Sequence, residues 1–541
     1  MKKFKVLLLS VFNSNQYEVY EEMGICFIAS YLRKKGYEVM LKAATEDRVY
    51  HDMAVFKEFR PDIIGLPVYN ISKESTFRAC ARLKQEIPQA FICIGGYLPT
   101  YYAKEIMEEA GFVDFLIRGE GEEALSDLLT CLEKGESPES VKSLSYRKGG
   151  QIIHNEDKEL IKDLNILPFP SRDILVDNKL RIAQISSSRG CVRNCSFCCT
   201  SEFWKHRWRG RDVKNVVDEI EEIVNKCGMH RFFFIDSSFE DPDKHCKRMC
   251  DLAEEMVKRN LKTSYHAELR AEIHKKIQPG MIELLIESGL CGVLMGIESA
   301  NEHDLKLYNK FAGQEDNIAS MELFRKYPDI NVSMGFINFN PYSTVENLKE
   351  NLAFLSKYGF ATFYNLCNRY MMFRGTKLYE KVKRDGLLKN SGTFVDDFAY
   401  NYVNKDIGTL VEFIIDYLKP LDQKFCGPKR FYYYALDYKN ILAHCKRYFS
   451  VRGEQEIYEK VTEHEAQVNS ILSEISDNNA KWFGELLTLV EKGWDVRAAL
   501  QIMDKYIKVE DLRNSAVTID SGISKLYSYI TKKGFRYDLT I

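Results

Sequence analysis

The chain is short of the features that mark a secreted, membrane-bound or nucleic-acid-binding protein. Its longest apolar run near the N-terminus, Val6 to Leu9, is far shorter than a membrane span or a signal-peptide core. A cytoplasmic location with no membrane partner is therefore expected. The 76 lysines and arginines nearly balance 78 aspartates and glutamates, and a formal charge of −2 offers no electrostatic reason to bind nucleic acid. No internal repeat or low-complexity tract is visible. A second Cys-x-x-Cys pair that would complete a four-ligand zinc site is also missing, although the chain has 15 cysteines. That many cysteines suit a disulfide scaffold only in a small secreted domain. Cys26, Cys80, Cys93, Cys131, Cys227 and Cys367 lie in apolar patterns and read as buried thiols.

What is present is length and alternation. At 541 residues, 45% hydrophobic and 28% charged, with a mean hydropathy of −0.31, the chain suits about three soluble globular domains. Up to residue 140, short apolar strands alternate with helical patterns such as Gly24 to Lys35. The strands expected are Lys5 to Ser10, Val39 to Ala43, Ile63 to Val68, Phe91 to Ile94 and Phe115 to Ile117. This is the pattern of an α/β, doubly wound, Rossmann-like parallel sheet, which binds ligands at the carboxyl ends of its strands. Gly95-Gly96 and Gly119-Glu120-Gly121 lie there. Residues 141–180 read as a connector, with a hairpin at Gly149-Gly150 and prolines at 168 and 170 that exclude a regular helix.

From residue 181 to 394 the alternation resumes. Strand candidates are Arg181 to Ser187, Arg231 to Asp236, Thr263 to Glu268, Gly292 to Ile297, Asn331 to Asn338 and Phe363 to Tyr370. Helical patterns between them, such as Val213 to Cys227 and Thr344 to Lys357, make this a partial (β/α)6 barrel. Residues 395–541 carry long helical periods, including Glu456 to Ser476 and Ala480 to Lys492, and form a mostly helical C-terminal domain. It is expected to cover the barrel mouth and to bear on the substrate. Its aromatic run Phe431-Tyr432-Tyr433-Tyr434 reads as helical core rather than as a pocket lining.

The chemistry concentrates at Cys191, Cys195 and Cys198, spaced by three residues and then two, just after the first barrel strand. Three thiolates on one loop can hold three irons of a [4Fe–4S] cluster and leave the fourth open. Zinc prefers four ligands, and adjacent Cys199 cannot readily aim at the same metal as Cys198.

The motif Cys191-x-x-x-Cys195-x-x-Cys198, with Phe197 before the last cysteine, resembles the signature of radical S-adenosylmethionine (SAM) enzymes. The resemblance implies SAM chelated to the open iron and cleaved to a 5′-deoxyadenosyl radical. It also assigns contacts to SAM. Gly292-Val-Leu-Met-Gly296-Ile-Glu298 resembles the fourth-strand motif, with Glu298 on the ribose hydroxyls. Asp236 and Ser237 end the second strand near the methionine amino group, and His266 and Arg270 follow on the third. Arg374-Gly375-Thr376 resembles the family's closing motif.

The N-terminal domain resembles the cobalamin-binding domain that precedes many of these enzymes. The matching pieces are Gly95-Gly96-Tyr97-Leu98-Pro99-Thr100, Arg118-Gly119-Glu120-Gly121-Glu122, and Leu167-Pro168-Phe169-Pro170-Ser171-Arg172-Asp173. Together they imply cobalamin on Tyr69, Asn70, Ser72, Gly95, Gly96, Tyr97, Gly119, Glu120 and Gly121. No Asp-x-His-x-x-Gly motif is present, and isolated His51 reads as a surface residue, so the resemblance implies base-off cobalamin without a histidine ligand. The loop from Tyr69 to Ser72 would lie against the lower corrin face.

In this subclass the usual reaction is methylation of an unactivated carbon or a phosphinate phosphorus, through the radical and methylcobalamin; for this chain the resemblance implies an unactivated carbon of a small natural-product-like or peptide substrate. An electron donor such as flavodoxin or ferredoxin is implied. A minority rearrange, contract or cyclise their substrates without methyl transfer. A cobalamin carrier or sensor would not need the cysteine loop. A tRNA methylthiotransferase would need more cluster cysteines and a basic module.

Overall fold

The computed structural model describes residues 3–13, 20–240, 242–389, 397–422 and 427–539. It divides into two compact units. The first takes the chain up to Val192, then Cys199–Met229 and Asp397. The second takes Arg193–Cys198, His230–Lys389 and Phe398 onward. The boundary thus falls inside the cysteine loop, with Cys191 in the first unit and Cys195 and Cys198 in the second.

In the first unit, β1 (Lys5–Phe12), β2 (Glu38–Thr45), β3 (Ile63–Pro67), β4 (Phe91–Gly95) and β5 (Phe115–Ile117) form the expected parallel sheet. From Val6 onward β1 is buried on both faces, which is why its sequence is continuously apolar rather than alternating. The hairpin strands β6 (Leu144–Lys148) and β7 (Gln151–His154) then add antiparallel to β5, giving the order β2-β1-β3-β4-β5-β6-β7. The hairpin expected within the connector is therefore part of this sheet. Its turn glycines, Gly149 and Gly150, both have the positive φ that a tight reversal needs.

β8 (Ala183–Ile185) is the short strand that leads towards the cysteine loop, and β9 (Ser188–Arg189) pairs antiparallel with β10 (Arg209–Gly210). In the second unit β11 (Arg231–Phe234), β12 (Ser264–Arg270), β13 (Leu290–Glu298) and β14 (Asn331–Phe336) run parallel in the order β14-β13-β12-β11.

The sixth expected strand is not one. Phe363–Cys367 is a short helix, and only Arg369 bridges to Phe339. The Thr362 side chain caps that helix by accepting from the Asn365 N–H at 3.1 Å, which commits an otherwise strand-like apolar segment to helical turns. The long C-terminal helices are present, but Gln455–Lys492 is one continuous helix rather than two.

The C-terminal helices belong to the same unit as β11–β14. The second half of helix Pro428–Ser450 does not cover the carboxyl ends of the strands. Asn440 accepts from Asn331, the first residue of β14, at 2.8 Å. His444 meets Ser264, the first residue of β12, at 2.7 Å. This half packs at the amino ends of the strands. Within the run 431–434 only Phe431 is fully buried, and Tyr433 is 44% exposed. Tyr432 stacks on Tyr364 with ring centres 5.4 Å apart. The run is a one-sided aromatic face rather than core all round.

Candidate functional site: a cysteine loop and two strand-end clusters

The first half of the cysteine loop is held by ion pairs within the first unit. Arg189, two residues before Cys191, is buried; its guanidinium donates to Glu120 Oε1 at 2.7 Å and to Glu122 Oε1 at 2.5 Å. Arg209, its β-partner, donates to both oxygens of Glu120 at 3.0 and 3.1 Å. The Ile161 N–H adds a further bond to Glu120 at 2.7 Å. Burial opposes the Arg189 charge, but Glu122 and Glu120 outweigh it and lift its pKa further. Gly190 follows at φ +90°, and a Cβ there would lie 2.0 Å from the Arg207 carbonyl oxygen, so only glycine fits this turn.

Arg172 of the Pro-Phe-Pro motif makes a second buried junction. It binds Glu21 at 2.9 Å and also Glu219, while Glu21 accepts from the Gln184 N–H of β8 at 2.8 Å.

The second half of the loop is held within the second unit. Ser196 N–H donates to Tyr308 O at 2.8 Å, and Ser196 Oγ to Leu307 O at 2.6 Å. The Phe197 ring meets Tyr308 edge-on at 5.4 Å. Thr376 of the Arg-Gly-Thr motif caps helix Lys377–Arg384, whose Leu378 N–H donates to Ser196 O at 2.8 Å. Cys191, Cys195 and Cys198 each carry the thiol that a cluster iron requires.

At the carboxyl ends of β11–β13 the structure gathers acidic groups. Asp236 is buried just after β11. Glu298 ends β13 at φ +67°, a left-handed conformation that costs a non-glycine residue about 1–3 kcal/mol. Gly296 and Gly335 make its room, since a Cβ at either would stand 3.2 or 3.5 Å from a Glu298 oxygen. Burial raises the Glu298 pKa, opposed by Lys310 at 3.5 Å. Burial also works against the Lys310 charge, but Glu298 and Cys195 outweigh it. A carboxylate so placed can accept from a diol.

Two residues expected at the SAM position sit differently. Arg270 does not face a ligand freely: its backbone N–H and its guanidinium both donate to buried Glu240. His266 lies four residues before the end of β12, its ring stacked on His444 at 4.5 Å and lodged over Gly292, where a Cβ would come within 2.5 Å of Nε2. That is the amino half of the strand, away from the SAM position the resemblance implied. Ser237, half-buried beside Asp236, stays at the strand end.

Two residues went unassigned. Lys310 carries no motif signal. Glu268 could have been found from strand periodicity, since it shares a face of β12 with His266 and Arg270. Burial, reinforced by Asp236, Glu298 and Glu240, pushes Glu268 up to about 7. A carboxyl whose folded pKa exceeds its unfolded one stabilises the fold fully below the unfolded value and loses that contribution as pH rises through the folded one. Unfolding midpoints of the cofactor-free protein measured at pH 5 and at pH 8 should therefore fall with pH. The fall should be smaller in Glu268→Gln.

In the first unit the strand ends gather most of the other assigned residues. Tyr69 shares a hydrogen bond with Glu22, whose carboxyl burial pushes up to about 7. Asn70 donates to Asp397 at 2.7 Å, and Ser72 is buried. Gly95 ends β4, and Gly96 (φ +102°) packs against the Val68 backbone, where a Cβ would come to 3.5 Å. Tyr97 meets Tyr101 at a tilt with ring centres 4.6 Å apart, and the Gly119 N–H donates to Thr100 Oγ1 at 3.0 Å. A bare-backbone ledge across three adjacent strand ends suits a broad planar ligand. Glu120 and Gly121 serve elsewhere: Glu120 is spent on the two arginines, and a Cβ on Gly121 would strike Ile28 Cδ1 at 2.7 Å. His51 is exposed, as expected.

Two family models match the chain, the B12 binding domain over residues 10–129 and the radical SAM superfamily over residues 185–355. The chain is a B12-binding radical SAM enzyme. Its cofactors are cobalamin, SAM and a [4Fe–4S] cluster. It is 27% identical over 375 residues to an uncharacterized methyltransferase of Pyrococcus horikoshii, a match covering 68% of this chain and 79% of that one. It is 29% identical over 343 residues to the anaerobic magnesium-protoporphyrin IX monomethyl ester cyclase of Cereibacter sphaeroides, covering 60% of this chain and 55% of the cyclase, about half the relative's length. Its fold is similar to that of the cobalamin-dependent SAM radical enzyme OxsB, with a TM-score of 0.67, 20% identity, and coverage of 97% of this chain and 84% of that one. No helix among the described residues of this radical SAM enzyme is long and apolar enough to cross a membrane.

The scattered thiols behave mostly as read. Cys26, Cys80, Cys93 and Cys131 are buried, while Cys227 and Cys367 are partly accessible.

Proposed function

We propose that the enzyme transfers a methyl group from SAM to an unactivated carbon of a small natural-product-like or peptide substrate. The observation that carries this reading is the pairing of two prepared strand-end sites on one chain, a glycine ledge after β3, β4 and β5 and an acidic cluster after β11, β12 and β13. When bound, the cluster supplies the electron that cleaves SAM, and the cobalamin supplies a carrier for the methyl group. The chain's own residues hold and orient. Cys191, Cys195 and Cys198 would ligate three irons. Glu298, steadied by Lys310, would accept from the ribose hydroxyls, and Asp236 with Ser237 would receive the methionine amino group. Residues 69–72, Gly95 to Tyr97 and Gly119 would lie against the corrin. A flavodoxin or ferredoxin as donor, a cytoplasmic location, and residues 395–541 as the source of selectivity belong to the same proposal.

A second reading, cyclisation or rearrangement without methyl transfer, is favoured by the cyclase among the relatives. The test is to incubate the reconstituted enzyme and cobalamin with deuteromethyl-labelled SAM and candidate substrates, following products by mass. Label in the product supports methyl transfer. 5′-Deoxyadenosine with an unlabelled, altered product overturns it in favour of rearrangement.

A further inference from the structure

Away from both cofactor sites, at the amino ends of β12 and β13, His266, Cys291 and His444 converge. One donor atom from each lies within 4.8 Å of those of the other two. Cys291 and His444 are fully buried, and Nε2 of both imidazoles is sealed from solvent without a hydrogen-bond partner. A ring nitrogen left without a partner in a dry core is costly, and a cation seated beside Cys291 Sγ and His444 Nδ1 would fill one of the two, His266 Nε2. Tetrahedral zinc, with bonds of about 2.0–2.1 Å to nitrogen and about 2.3 Å to sulfur, sets its nitrogen and sulfur ligands about 3.5 Å apart. Cys291 Sγ and His444 Nδ1 already stand 3.4 Å apart.

We propose that His266, Cys291 and His444 form a binding site for a thiophilic divalent cation, with zinc the best match. Binding takes a lone pair from each imidazole and expels the Cys291 thiol proton to solvent. The His266 ring turns out of its stack on His444 to aim a nitrogen at the metal. Ser264 Oγ, released from His444 Nδ1, keeps the His230 carbonyl within reach at 3.5 Å. The two histidines and the cysteine come from β12, β13 and helix Pro428–Ser450, so the metal would rivet that helix to the sheet. Gly292 is the residue that lets His266 reach inward. The ligand set is distinct from the three-cysteine loop in both place and donor type.

The test uses full-length chain carrying Cys191→Ala, Cys195→Ala and Cys198→Ala together, which removes the competing cluster thiolates. It is loaded with zinc chloride, desalted, and its metal measured by mass spectrometry and by X-ray absorption at the zinc edge. About one zinc per chain is expected, with one sulfur at about 2.3 Å and nitrogen ligands at about 2.0–2.1 Å. Adding Cys291→Ala or His444→Ala should remove it. No bound zinc in the background protein, zinc retained after Cys291→Ala, or a shell with two or more sulfurs would overturn the proposal. The absorption spectrum reads the intact site directly, so it decides the matter even if a substituted chain folds poorly.

Discussion

Replacing Arg189 with alanine will destabilise the protein by about 3–5 kcal/mol, the cost of leaving buried carboxylates without their partner. Glu120 and Glu122 are both closed off from solvent, and Arg189 is the cation they share. Arg209 remains to Glu120. Arg189→Lys should recover little, because one ammonium cannot fork to two carboxylates as a guanidinium does. Removing the charges together, as Arg189→Met with Glu120→Gln and Glu122→Gln, should be milder than Arg189→Ala alone. Denaturant unfolding of the four proteins checks the order. A near-neutral Arg189→Ala would show that the clamp is dispensable. Because Arg189 lies two residues before Cys191, the same variant should also load less iron.

Single replacement of Cys191, Cys195 or Cys198 by alanine will reduce product formation to background. An iron without its thiolate leaves the cluster incomplete, and an incomplete cluster cannot deliver the electron to SAM. Iron and sulfide per chain after anaerobic reconstitution, together with 5′-deoxyadenosine release, provide the measurement. Cys199→Ala is the discriminating control and should keep both. If Cys199→Ala behaved like the other three, the ligand set would be wrong.

The legible parts of the chain were those where a local pattern has one physical outcome. The parallel sheet of the first unit followed from continuous apolar strands such as β1, which can only be buried on both faces. The cysteine loop was legible because its spacing is itself the ligand geometry. The sixth strand failed because Phe363 to Tyr370 has the apolar content of a strand, and the deciding bond is a side-chain cap from Thr362. Glu120, read as a ligand contact, accepts from Arg189 and Arg209 in the structure. Likeness to a motif says that a carboxylate is needed, but it does not say whether a ligand or Arg189 needs it. The partner of Arg270 was illegible for the same reason, since Glu240 lies thirty residues away in sequence.

The sequence by itself determined the cofactor chemistry and the architecture that carries it, because three thiolates at that spacing, and alternating strands ending in glycine, are local facts. Only the tertiary structure decided which charged side chains pair with one another. Burial makes an unpaired charge so costly that pairing partners are chosen across the fold rather than along the chain. Glu120 with Arg189, Glu240 with Arg270, and His266 beside Cys291 and His444 are the places where that choice was made.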